Sequence, residues 1–144
     1  MEISNKSMTG NNAVVNCAGA DIETGPNFYG PDFDYMQIDA RDSREYNILE
    51  QHFDEVRAFI EAGTKESDRT MVHCVAGINR SGVLTTAYCL LHGNQSLLDT
   101  LRAVSSRRRC ILSNLGFRLQ LIRFAKKHGR LGSLTSCSSS IEPL

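Results

Sequence analysis

His73-Cys74-Val75-Ala76-Gly77-Ile78-Asn79-Arg80-Ser81 follows the apolar pair Met71-Val72 and leads into a run of helical character. A cysteine and an arginine separated by five residues wrap a short loop around one tetrahedral oxyanion. Backbone N–H groups from Val75 to Arg80 converge on the centre of such a loop, and the planar Arg80 fork closes it with two parallel donors. The helix starting near Ser81 turns its positive end toward the same point. Together these favour the Cys74 thiolate over the thiol, so a nucleophile is ready at neutral pH. Gly77 permits a backbone conformation that a side chain would obstruct. The alternative is a cysteine that packs at the end of a strand, as buried cysteines commonly do. The coincidence of the apolar strand, His73, Cys74, Gly77, Arg80 and Ser81 favours the anion-binding loop.

Working outward, Ala13 to Cys17 is a short apolar run suited to a buried parallel strand, and Asp34 to Asp39 gives a second strand. Leu49, Phe53, Val56 and Ile60 recur at helical spacing from Asn47 to a stop at Gly63. Thr70 to His73 is the strand that feeds the loop, and Ser81 to His92 is a largely apolar helix closed by Gly93. Ser96-Leu97-Leu98-Asp99 opens a helix to about Arg107 in the manner of a capping box. Asn114 caps a last helix from Leu115 to His128, stopped by Gly129. Strands alternating with helices predict an α/β sandwich of three layers, a mainly parallel central sheet flanked by helices.

The 144 residues suffice for one domain with its own core. The expected organisation is a polar segment 1–12, a catalytic-type domain 13–131 and a Ser-rich disordered tail 132–144. No apolar run approaches the ~20 residues needed to cross a bilayer, and no basic-then-apolar leader opens the chain. Five cysteines without a CxxC pair or metal-ligand spacing read as free thiols of a reducing compartment, cytoplasmic or nuclear, with no metal and no cofactor. The zero net charge hides an asymmetry. Residues 21–68 hold thirteen acids against four bases, and residues 101–130 hold nine bases and no acid. A neutral chain whose aromatics do not interleave with its basic run gives no reason to expect nucleic-acid binding, whereas a basic rim near Cys74 would attract anionic substrates.

His-Cys-x5-Arg-Ser resembles the active-site loop of the protein tyrosine phosphatase superfamily, and the match is closest to the small, atypical dual-specificity phosphatases, over about residues 13–128. Val14-Val15-Asn16-Cys17-Ala18, Asn27-Phe28-Tyr29, Ile38 to Asn47, Phe59-Ile60 and Asn114-Leu115-Gly116-Phe117 fall in the family's order. The family's opening strand and helix are missing or replaced by Glu2 to Asn12, and Leu112-Ser113-Asn114 stands where Pro-Asn is usual.

The resemblance implies a phosphorylated protein substrate and a cysteinyl-phosphate intermediate on Cys74. It assigns the general acid to Asp42, thirty-two residues before Cys74, with Asp39 as the alternative and a helix-capping role open to both. General acid catalysis of this kind is worth about 10²–10⁴ in rate. Val75, Ala76, Gly77, Ile78 and Asn79 supply loop donors to the phosphate together with Arg80. His73 holds the loop, and the Ser81 hydroxyl makes the sulfur a better leaving group. Arg109 matches an arginine that binds a second phosphate at the rim, against the simpler reading of a surface charge. Cys17 is a redox partner for Cys74 if its strand neighbours Thr70–His73; packing alone, or Cys89 as the partner, are the competing readings. Two other functions stay open: a phosphate-binding pseudophosphatase module without turnover, and a phosphatase for phosphoinositides or RNA 5′-ends. The neutral loop side chains of Val75, Ala76, Ile78 and Asn79 weigh against the latter. Oligomeric state and physiological substrate are not legible in the chain.

Overall fold

Ala13, Val14 and Val15 carry no side chain suited to water on either face, and the chain places them at the centre of its sheet. A computed structural model describes residues 12–22, 24–63 and 69–133. β1 (Asn12–Asn16) lies between β2 (Phe33–Gln37) and β3 (Thr70–His73), both parallel to it, in the order β2-β1-β3. Ala13 through Asn16 are buried, whereas the outer strands are partly exposed. A strand paired on both edges and covered on both faces reads as an apolar run, here Ala13-Val14-Val15, and the one polar side chain buried with it, Asn16, has to be hydrogen-bonded.

Four helices flank the sheet. α1 (Ile48–Gly63) connects β2 to β3 and buries Ile48, Leu49, Phe53, Val56 and Ile60 as one stripe. α2 (Arg80–His92) leaves the loop after β3 and buries Val83, Leu84, Ala87 and Leu90. α3 (Leu97–Arg107) starts at Ser96, whose hydroxyl accepts from the Asp99 N–H at 3.2 Å and donates to its carboxylate at 2.7 Å, the expected box. α4 (Leu115–Lys127) starts at Asn114, whose side-chain oxygen accepts from the N–H groups of Gly116 and Phe117, and stops before Gly129 at φ 65°. α4 completes the core with Phe117, Leu121 and Ala125, and its Phe124 ring meets Phe53 edge-on at 4.8 Å.

The expected strands Ala13–Cys17 and Asp34–Asp39 differ from the observed ones by one or two residues at each end. The pairing itself runs on past those ends: Ile38 N–H donates to Asn16 O (2.9 Å) and Cys17 N–H to His73 O (2.7 Å). Asn12, expected in the polar opening segment, is the first residue of β1. The rest of that segment, and the tail beyond residue 133, lie outside the described residues. Among the described residues β2 and β3 form the sheet edges.

The register sets Asn16 opposite both Gln37 and His73, so the three strands end level, and the segments after them leave from one end of the sheet. Open parallel sheets bind ligands at that end. Asn16 is fully buried there and folds the β1–β2 connection around itself. Its amide donates to Ile22 O (3.0 Å), Thr24 Oγ1 (3.1 Å) and Tyr35 OH (3.2 Å), while its oxygen accepts from Ala18 N–H (2.9 Å). Asn16→Ala leaves several of these groups without a partner and is expected to lower the unfolding free energy by about 2–3 kcal/mol, measured by denaturant titration. A loss within experimental error would show that the network carries no stability.

Candidate active site

The loop between β3 and α2 begins at Cys74, which is buried, with 7% of its surface exposed. Burial alone would push its thiol up. Hydrogen bonds from the Ser81 hydroxyl (3.3 Å) and from the N–H groups of Ser81, Gly77 and Ile78 outweigh that and bring it below the ordinary thiol range. These donors lie on the first turn of α2 and the loop ahead of it. Asn79, the N-cap of α2, makes no side-chain bond to its own helix. An asparagine there would normally take up an N–H of the first turn; its diversion leaves that positive end to the loop centre.

The Asn79 side chain is used between loops instead. Its oxygen accepts from Ser113 Oγ (3.1 Å) and from Asn114 N–H (2.9 Å), and its amide donates to Asp42 Oδ2 (3.0 Å). Asn114 donates to the other Asp42 oxygen at 2.9 Å while capping α4 with its own oxygen. Two amides thus fix one carboxyl group over the loop. Asp42 lines an open depression of about 500 Å³ together with Asp21, Ile22 and the loop residues Cys74, Val75, Ala76, Ile78, Asn79 and Arg80. Asp39, the alternative acid, accepts from Gln37 Nε2 at 3.2 Å beside the sheet edge and does not line this depression.

Arg80 is 5% exposed. Its Nη1 donates to Asp21 Oδ2 and to Ala40 O, the latter at 3.0 Å. Its Nε is buried with no acceptor. A buried guanidinium N–H without a partner is costly, and an oxyanion seated in the loop is the group that would satisfy it. Gly77 adopts φ 65°, and a Cβ there would run into the Arg108 guanidinium. Arg108 Nη2 donates to Ala76 O (3.3 Å). In the run Arg107-Arg108-Arg109 it is Arg108 that hydrogen-bonds the loop backbone. The next segment holds Leu112 at φ 59°, a left-handed conformation that costs about 1–2 kcal/mol for a residue with a side chain. Its N–H donates to Ile78 O at 3.0 Å and ties the α3–α4 connection to the loop.

His73, expected either to hold the loop or to be an ordinary strand-end histidine, pairs its ring Nε2 with Tyr29 OH at 3.0 Å. Cys17 follows Asn16, the register partner of His73, and the Cys17 N–H donates to His73 O at 2.7 Å, which brings it into the neighbourhood of Cys74. Burial, and then the negative charge of Cys74, push the Cys17 thiol up to about 12. Cys89 lies two turns beyond Ser81 on α2, about 12 Å along the helix, and lines a separate groove between α2 and α3. Asp21, Tyr29 and Arg108 escaped the sequence reading because no local pattern separates them from the other acids, aromatics and arginines nearby. Among the described residues no group of three or more His, Cys, Asp or Glu side chains is placed to hold a metal ion, and no helix is long and apolar enough to cross a membrane.

The lowered Cys74 thiol sets a pH dependence. Its thiolate should persist below the ordinary thiol range, so alkylation of Cys74 by iodoacetamide, followed by peptide mapping, is expected to have its pH midpoint below that of an ordinary thiol. Ser81→Ala removes a donor to the sulfur and should move the midpoint upward, while Cys17 stays unmodified throughout. A wild-type midpoint at or above the ordinary thiol value would overturn this account of the loop.

Comparison with known proteins places this geometry. Residues 3–127 match the family described as dual specificity phosphatase, catalytic domain. The chain is similar to a Dictyostelium discoideum MAP kinase phosphatase with leucine-rich repeats, at 39% identity over 69% of this chain and 12% of that protein. It is also similar to human dual specificity protein phosphatase 14, at 33% identity over 86% of this chain and 62% of that one. Among solved structures, human DUSP28 superimposes with a TM-score of 0.72 at 25% identity, covering 83% of this chain and 78% of that chain. The chain spans 12% to 62% of the length of these and similar curated relatives.

Proposed function

This chain belongs to the dual specificity phosphatase family, and on that premise we propose that it removes phosphate from phosphotyrosine and from phosphoserine or phosphothreonine in proteins through a cysteinyl-phosphate intermediate. One observation carries the reading: a Cys74 thiol drawn toward its thiolate, an Arg80 with a buried N–H awaiting an acceptor, and the Asp42 carboxyl group all line one depression. The phosphoryl group sits in the loop on the N–H donors and the Arg80 fork. The Cys74 sulfur attacks phosphorus, and the bond to the ester oxygen breaks as Asp42 gives that oxygen its proton. Water then attacks the cysteinyl-phosphate, Asp42 takes its proton, and Ser81 donates to the departing sulfur. Asn79 and Asn114 hold the Asp42 carboxyl group where both transfers take place. The basic run Arg107–Arg109, with Arg108 nearest the loop, would hold a second phosphate at the rim.

The test is a leaving-group series. Cys74→Ser is expected to lose turnover and keep oxyanion binding, because the loop donors and Arg80 remain. Asp42→Asn should slow phosphotyrosine and phosphothreonine peptides by about 10²–10³ and an activated aryl phosphate far less, since that substrate needs little protonation. A Cys74→Ser variant near wild-type activity would sink the covalent mechanism. A wild-type chain that binds oxyanion without turnover would make it a binding module, and a preference for phosphoinositides over phosphopeptides would change the substrate class.

Cys17 is proposed as the guard of the nucleophile. Hydrogen peroxide oxidises the Cys74 thiolate to a sulfenic acid with release of hydroxide, and the Cys17 thiol condenses with it to a disulfide and water. Mild peroxide should therefore inactivate reversibly, with a Cys17–Cys74 linked peptide on non-reducing mapping. Cys17→Ser should make the loss irreversible; equal recovery in that variant would remove the role.

A further inference from the structure

Arg80 can meet an anion along either of two edges of its guanidinium, the end-on Nη1–Nη2 pair or the side-on Nε–Nη2 pair. The structure has already committed Nη1. Asp21 Oδ2 and Ala40 O both accept from it, one from the β1–β2 connection and one from the segment after β2. Nε, on the opposite side of the group, is buried and has no acceptor. Asp21 is itself held rather than loose: its N–H donates to Ala18 O at 2.9 Å, and Ile22 beside it bonds back to Ala18 and gives its carbonyl to the buried Asn16 amide.

We infer that Asp21 is a positioning residue, which pins Nη1 of Arg80 so that the Nε–Nη2 edge is presented to the phosphoryl group. The inference rests on the phosphatase reading and deepens it. A carboxylate at the mouth of an anion site also repels the anion, and this cost runs against the benefit of orientation. Orientation prevails because the half-exposed carboxylate is screened by water and neutralised by the guanidinium it touches, whereas Arg80 is buried. A flexible, buried guanidinium released from one of its two acceptors would have several rotamers open to it, and the bidentate edge would be lost for part of the time.

The experiment measures binding of tungstate by calorimetry and hydrolysis of p-nitrophenyl phosphate on the full chain. Asp21→Ala is expected to weaken tungstate binding about tenfold and to raise KM by a similar factor. The loss falls on KM because the fork holds the phosphoryl group before and during transfer. Asp21→Asn keeps an oxygen acceptor and should recover most of the affinity. In an Arg80→Lys background, Asp21→Ala should cause no additional loss, because a residue acting through the guanidinium has nothing left to orient. Tungstate bound by Asp21→Ala as tightly as by wild type, or more tightly, would overturn the inference, as would an undiminished loss in the Arg80→Lys background. If wild type hydrolyses the substrate and Asp21→Ala is indifferent, only this inference fails. A wild-type chain that neither binds tungstate nor hydrolyses the substrate overturns the phosphatase reading and this inference with it.

Discussion

A guanidinium buried to 5% exposure needs partners, because leaving a buried charge unpaired costs several kcal/mol. Arg80 obtains them from far along the chain: a carboxylate 59 residues away and a backbone carbonyl 40 residues away. To reach it, the β1–β2 connection and the segment after β2 must both close over the start of α2. The parallel sheet makes that possible by ending its three strands level. The unfilled part of the same requirement, the orphaned Nε, gives the site its appetite for an oxyanion. Stability and binding therefore draw on one side chain, with the protein satisfying part of it and the ligand the rest.

Asn79 distributes a second constraint. Diverted from capping α2, its side chain joins the loop, the α3–α4 connection and Asp42 in one hydrogen-bonded cluster. Asn114 joins the same cluster while capping α4, so the residue that begins the last helix also fixes the carboxyl group over the loop. Leu112, in the left-handed region, carries the strain of bringing that connection onto Ile78. The Asp42 carboxyl group, the helix end that favours the thiolate and the loop backbone are thereby held as one unit. Such shared support makes the contributions of these residues non-additive.

Much of the fold was legible because its signals are local. The Leu49-Phe53-Val56-Ile60 stripe, the Ser96 and Asn114 caps and the Gly129 stop each act within one or two turns, and each appears where its pattern placed it. The strands were located to within a couple of residues, since hydrogen bonding continues past the last residue of regular geometry. Two side-chain contacts were not legible. Arg108 meets the loop because the turn out of α3 decides which of three successive arginines reaches Ala76 O, and nothing in Arg-Arg-Arg encodes that turn. His73 turns to Tyr29 because the β1–β2 connection brings an aromatic hydroxyl to it.

By itself the sequence determined the loop between strand and helix, since a cysteine, a glycine, an arginine and a helix start within nine residues need no distant partner to turn their backbone N–H groups toward one point. It also determined the order of strands and helices, through periods of two and 3.6 that no other part of the chain has to supply. Tertiary structure alone decided that Asp42 rather than Asp39 lines one depression with Cys74, that Asp21 takes Nη1 of Arg80 and that Cys17 lies near Cys74. These choices depend on sheet register and on the closing of connections between distant residues, as with Arg80 and Asp21 at a separation of 59 and Asn114 and Asp42 at 72. A one-residue slip in register would turn the strand-end side chains to the other face and shift the connections that carry Asp21 and Asp42, and no short stretch of the chain records which register the packed sheet adopts.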